Sequence, residues 1–237
     1  MFYLTELHCH TGEVSNCADA PAEFVINKYV ECGYDTLVVT NHLSKYTFRG
    51  GRKKYRGGDT WDEKIDFYMN GFELVQNASQ GRINVLLGVE LRLNTDDNDY
   101  LIYGIDEAFL RANPDILDIS LKELGQRVHS AGGILFQAHP FRNDMRVMNP
   151  EYLDGIEVFN GHNFQLSRNN IALSWAEMFG LREISGSDFH DPHHIPLGGI
   201  LTDEPITDMN SLMSALKSGN YAPMHRGKDP KSLLKVL

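Results

Sequence analysis

Short apolar runs alternate along this chain with longer segments in which apolar residues recur at helical spacing. Residues 2–7 read as a strand, and 21–32 as a helix with Pro21 in its first turn and Gly33 as its stop. The β-branched run DTLVVT at 35–40 reads as a buried strand. Ile65, Met69, Phe72 and Val75 fall on one face of a helix predicted over 61–78. Strands are expected at 83–93 and 100–105. Ser120, with Glu123 three residues on, predicts a capping box opening a helix that runs to Ala131. Strands at 133–138, 155–159 and 182–186 alternate with helices at 164–179 and 208–217, the last stopped by Gly219. This rhythm predicts an α/β fold of parallel strands linked by crossover helices. No linker, repeat or low-complexity tract divides the 237 residues, so a single domain over 1–237 is expected.

The composition narrows the function. Hydrophobic residues make up 42% of the chain, enough for a sizeable core. The net charge of −10, from 22 basic and 32 acidic side chains, argues against general nucleic-acid binding. Three cysteines give no disulfide framework and fit a reducing compartment. The start MFYLTELHCH has no cationic, apolar leader, and no apolar run is long enough to span a membrane. A soluble, cytoplasmic protein is expected.

Ten histidines are many for this length, and their placement carries the chemistry. His8 and His10 end the first predicted strand, and His42 follows the second. Glu90 lies near the end of the third, and Asp106 and His139 follow the next two. Asp188 and His190 follow EISGS. Strand ends on one rim are where α/β barrels gather their active sites. In His8-Cys9-His10, alternation along a strand turns both imidazoles to one side. Asp188-Phe189-His190 repeats the spacing. Imidazoles with carboxylates suit Zn, Mn or Fe, and a carboxylate such as Glu90 can bridge two ions. No GxSxG and no GxxxxGK[ST] occurs, which removes nucleophile-elbow and P-loop chemistry.

The series LHCH, VVTNH, GVE, AHP and SGSDFH, in order from His8 to His190, resembles the PHP family, named for polymerase and histidinol phosphatase. The resemblance implies a distorted barrel of seven β/α units with two or three divalent ions at the C-terminal strand ends. It implies that His8, His10 and Asp188 bind one ion, that Glu90 bridges to a second also held by His139, and that His42 and His190 hold a third. It also implies phosphoesterase activity by a metal-activated hydroxide, on a phosphorylated small molecule such as histidinol phosphate or a nucleotide. The alternatives are a nuclease acting on short nucleic acids, a non-catalytic metal-binding module and, more distantly, hydrolysis of a non-phosphate bond.

Three positions depart from the family pattern. Ser15 and Asn16 stand where members often have Asp or His, which makes Glu13 the candidate substitute ligand. Asp106 stands where many have His, and would serve either as a ligand or as a helix N-cap. The second motif reads TNH in place of TDH.

Arg142, three residues past His139, would bind phosphate or form a salt bridge on the rim, with Arg92 and Arg168 as lesser candidates. His190 is also the candidate acid for the leaving group. His162 would touch substrate or be structural, His193 and His194 read as a rim loop in preference to direct ligands, His129 has a surface or packing role, and His225 is expected to be solvated. The stretch 43–60 carries Arg49, Arg52, Lys53, Lys54 and Arg56, and reads either as a solvated loop or as a flap meeting an anionic substrate.

Overall fold

The computed structural model describes residues 2–49 and 57–225. The first half of the chain forms β1 (Tyr3–Cys9), α1 (Ala22–Glu31), β2 (Thr36–Val39), β3 (His42–Leu43), α2 (Lys45–Phe48), α3 (Trp61–Ser79), β4 (Asn84–Leu87), β5 (Val89–Arg92), β6 (Asp99–Tyr103) and α4 (Glu107–Ala112). The second half adds α5 (Leu121–Ser130), β7 (Ile134–Gln137), β8 (Gly155–Asn160), α6 (Asn169–Phe179), β9 (Arg182–Gly186), β10 (Gly198–Thr202), α7 (Met209–Ser218) and β11 (Ala222–His225).

The strands form two mixed sheets. One has the order β11-β10-β1-β2-β4, the other β3-β5-β6-β7-β8-β9. The sheets share two stretches of chain, since β2 runs on into β3 and β4 into β5. Gly88 marks the second crossing: a Cβ there would lie 2.8 Å from side-chain atoms of Val38 and Thr40. At the other seam Cys9 bridges Phe189, and the Asp188 N–H donates to His8 O at 2.8 Å. Leu7 and Val38 from one sheet pack with Leu101, Phe136 and Ile184 from the other, and Tyr103 Oη donates to Leu7 O at 2.8 Å. The arrangement resembles a (β/α)7 barrel, although neither sheet closes on itself as one continuous ladder.

Several expectations are corrected. The strands are not all parallel: β6 runs antiparallel to both β5 and β7, and β10 to β1. The helix expected from 164 begins only at Asn169, because Arg168 is left-handed (φ +50) and Phe164 and Leu166 are exposed rather than packed. Ser120 caps α5, but Glu123 pairs with Arg127 in place of completing the box. Full boxes close α3 at Thr60/Glu63 and α7 at Asp208/Ser211. The stretch from Leu43 is not irregular at its start, since Ser44 caps the one-turn helix α2. The basic residues Arg52, Lys53, Lys54 and Arg56 lie outside the described residues.

Candidate metal centre

The seam between the sheets delivers the candidate ligands. His8 and His10 come from the end of β1, where the pairing with β2 slips register between Glu6 and Cys9. Such a bulge re-aims side chains next to a site. Cys9 points away into an apolar cluster with Val25 and Phe189. His42 lies on β3 directly opposite Glu90 on β5. His139 follows β7 and Asp188 follows β9, both with positive φ (+27 and +51). Non-glycine residues held there cost about 1–3 kcal/mol each and are commonest at functional sites. Gly186 lets β9 approach closely, because a Cβ would fall 2.3 Å from that of His8.

The distances describe donors aimed at shared points. His8 Nε2 lies 3.1 Å from His10 Nε2, and Asp188 Oδ1 lies 3.3 and 3.4 Å from those two nitrogens. Ligand atoms around a tetrahedral ion at bond lengths near 2.0–2.1 Å are separated by about 3.3 Å. Glu90 is fully buried; its Oε1 lies 3.1 Å from His8 Nε2 and 3.2 Å from His139 Nε2. Its Oε2 lies 2.8 Å from His42 Nδ1 and 3.2 Å from His10 Nε2, yet forms no directed hydrogen bond. Three donor sets overlap here: His8/His10/Asp188, His8/Glu90/His139 and His10/His42/His190. Two more, His42/Glu90/Asp99 and His162/Asp188/His190, extend the cluster. The residues fit divalent cations, because buried nitrogens and carboxylate oxygens face one another with atoms left over.

Supporting groups set tautomers and charge. His8 Nδ1 meets Glu157 Oε1 at 2.9 Å, and His10 Nδ1 meets Ser15 Oγ at 3.1 Å. His190 Nδ1 lies 2.9 Å from the Asp188 carbonyl oxygen. Each contact leaves Nε2 as the ligand atom, the usual outer-shell arrangement. Burial opposes ionisation of Asp188, but His8, Arg142 and His190 outweigh it and hold the carboxyl well below the usual range. Burial likewise opposes a charged His8 and His42, and the carboxylates outweigh it, Asp188 and Glu90 at His8 and Glu90 at His42, raising both imidazoles. His10 is lowered by burial and by its neighbours His190 and His42. Burial opposes a Cys17 thiolate, but His42 and His190 bring the thiol down to about 4.

The expected residues are not all assembled. His8, His10, His42, Glu90, His139, Asp188 and His190 come together. Glu13 does not join them: its Oε1 accepts the Ala22 N–H at the start of α1, at 2.8 Å. Asp106 caps α4 by accepting the Phe109 N–H at 2.8 Å. Because β6 is reversed, its N-terminal end reaches the cluster, and Asp99 stands there in place of Asp106. Arg92 forks onto Asp99 at 2.7 and 2.5 Å. Arg142 is largely buried, with Nη2 donating to Asp188 Oδ2 at 2.5 Å and to Asn160 Oδ1 at 2.7 Å. Arg168 instead braces Phe141 O and Asn143. His194 Nδ1 accepts the His190 N–H, His162 lines the cleft, and His129 pairs with Asp154.

Asp99, Glu157 and Cys17 were not among the sequence candidates. A carboxylate inside the apolar strand GIEVFN is the one signal that marks Glu157. A cleft of about 980 Å³ opens over the cluster, walled by His42, Asp188, His190, Arg142, His162 and Phe164 among others.

Comparison with known proteins agrees with this geometry. Residues 167–221, which include Asp188 and His190, match the PHP_C family model, described as PHP-associated. No curated protein matches the chain in sequence. Among solved structures, the chain is similar to PsfC from Pseudomonas syringae (TM-score 0.68, 17% identity, 99% of this chain and 96% of that one). It is also similar to a two-domain Bacteroides vulgatus protein described as containing a PHP-like metal-dependent phosphoesterase (0.66, 16%, 95% of this chain and 65% of that one). A third is a lesion-specific endonuclease from Pyrococcus furiosus (0.63, 13%, 97% and 60%). The chain thus spans under two thirds of the length of the last two. At such identities these likenesses speak for the fold alone. In its fold, in the matched segment and in its clustered histidines and carboxylates, the chain resembles PHP-like domains.

Proposed function

We propose that this chain is a metal-dependent phosphoesterase acting on a phosphorylated small molecule. The observation that carries the reading is the packing of donor atoms around Glu90 and Asp188 at 3.1–3.4 Å without hydrogen bonds to justify every contact. His8, His10 and Asp188 would hold one ion, and Glu90 with His139 a second. His42 and His190 would hold a third. When bound, Zn, Mn or Fe would supply Lewis acidity toward phosphoryl oxygens and activate water.

The chain's own residues set up the rest. Glu157 fixes the His8 ring, and Ser15 the His10 ring. Arg142 holds Asp188 by its outer oxygen and, from the cleft wall, also faces an incoming phosphoryl group. His190, with Nδ1 turned to a carbonyl, belongs to the ligand set in this reading, which leaves the leaving-group proton to solvent in the open cleft.

A small substrate is favoured over a nucleic acid by charge. Among the described residues, Arg92 and Arg142 on the cleft wall are each committed to a carboxylate, and the net charge is −10. A polynucleotide backbone needs free positive charge along its path. The test is to screen purified, metal-analysed protein against phosphorylated metabolites and short oligonucleotides. Phosphomonoester hydrolysis is expected, lost on chelation and in His10→Ala and Asp188→Ala proteins whose circular dichroism is unchanged. Full activity in either variant would overturn the assignment.

A further inference from the structure

Glu6 carries a fully buried carboxyl group that takes no part in the donor sets. It stands at the start of the register slip between β1 and β2. The pairs Glu6–Leu37 and Cys9–Val39 leave Leu7 and His8 together opposite Val38. A bulge of this kind takes backbone groups out of the ladder, and each buried N–H then needs another acceptor. The ladder from β1 to β10 offers none, since it pairs only Tyr3 to Thr5. Both N–H groups donate instead to a single atom, Glu6 Oε1, at 3.0 Å from Leu7 and 2.9 Å from His8. Their carbonyls are met by other elements: Leu7 O accepts Tyr103 Oη, and His8 O accepts the Asp188 N–H, both at 2.8 Å.

The same carboxyl group holds the other segment of the site. Glu6 Oε1 also accepts the Ser187 N–H at 2.8 Å. Its Oε2 accepts the Ser187 hydroxyl, and the Tyr29 hydroxyl from α1 at 3.0 Å. Ser187 Oγ in turn accepts the N–H groups of Leu197 and Gly198 at 2.9 and 3.0 Å, which ties in the start of β10. Ser187 directly precedes Asp188, the ligand candidate with positive φ. Three backbone N–H groups and two hydroxyls thus converge on Glu6. All three N–H groups come from the segments that carry His8 and Asp188. A buried N–H without an acceptor is costly, so both segments depend on an oxygen at this point to keep their path.

We propose that Glu6 is the positioning residue for the ion held by His8, His10 and Asp188. Its carboxyl group replaces the missing strand partner, fixes the β1 bulge and the turn at Asp188, and so sets the 3.3 Å between His8 Nε2 and Asp188 Oδ1. The proposal rests on the proposed metal centre and extends it. Glu6 acts by reach and acceptor geometry, so an amide oxygen in the place of Oε1 serves as well. The amide NH₂ then faces the Tyr29 and Ser187 hydroxyls, whose oxygens can accept. None of the five bonds reaches His42 or His190.

The test is a chelator-competition titration of the full chain with Co²⁺, resolved ion by ion, beside circular dichroism and thermal unfolding. The ion lost in His42→Ala identifies the His42/His190 position. In Glu6→Ala one other ion should bind about 10–100-fold more weakly, with its ligand-field absorption altered, while the His42/His190 ion keeps its affinity. Glu6→Gln should restore both affinity and spectrum. A role confined to stability would lower the unfolding temperature and leave every affinity, read well below that temperature, as in wild type. That result overturns the proposal, as does a loss shared equally by all ions or a Glu6→Gln protein as weak as Glu6→Ala. If Glu6→Ala does not fold, Ser187→Ala, which removes one bond to Oε2, is read in the same titration. Weaker binding of the same single ion supports the proposal, and unchanged affinities overturn it. A wild-type chain that binds no cobalt overturns the metal centre itself.

Discussion

Glu157 acts at the site without touching the cleft. Its Oε1 meets His8 Nδ1, and its Oε2 accepts the His139 N–H at 2.9 Å and Asn160 Nδ2 at 2.8 Å. One carboxylate thus holds the His8 ring and the His139 backbone, and its second oxygen accepts from His139 and Asn160. Glu157→Gln must turn an amide NH₂ toward one of these donors. The expected result is a fold-neutral change that weakens metal binding by about 10–100-fold, the usual effect of losing an outer-shell partner. A competition titration against a chelator measures it, and unchanged affinity would remove Glu157 from the account. At this scale the sequence was informative about which residues cluster, because histidines at strand ends have few other reasons to recur. It was uninformative about their supports, since Ser15, Glu157 and Cys17 carry no spacing that distinguishes them from ordinary polar residues.

Among the elements, β6 matters most. Six residues separate β5 from it, room for a hairpin but too few for a crossover, which takes a dozen or more. That length was present in the sequence, but the β-then-α rhythm favoured parallel strands throughout. The reversed direction exchanges the two ends of the strand, bringing Asp99 to the cluster and sending Asp106 to a helix cap. Two substitutions separate these roles. Asp106→Ala should cost about 0.5–2 kcal/mol of stability, the typical loss of an N-cap, with metal content unchanged. Asp99→Asn should lower metal content or affinity with little loss of stability. Urea denaturation beside elemental analysis reads both, and the opposite pattern would restore Asp106 to the site. Helix boundaries were the more legible part, because Thr60, Ser120 and Asp208 are local signals that act within one turn.

Across the whole molecule, the site gathers residues from His8 to His190 at the seam where β1 meets β9 and where β2 and β4 run on into the second sheet. No local pattern encodes such a seam. What the sequence disclosed was that ligand-type residues end successive strands, and the fold converts that order into one cluster. Among the described residues no helix is long and apolar enough to cross a membrane. The claim on which everything else depends is that this cluster is multinuclear. It is tested most directly by the metal-to-protein ratio of natively purified and metal-reconstituted protein, determined by elemental analysis. At least two divalent ions per chain are predicted, since the overlapping sets around Glu90 and Asp188 offer more donors than one tetrahedral ion can use. A ratio that stays at one or below after reconstitution would contradict the account.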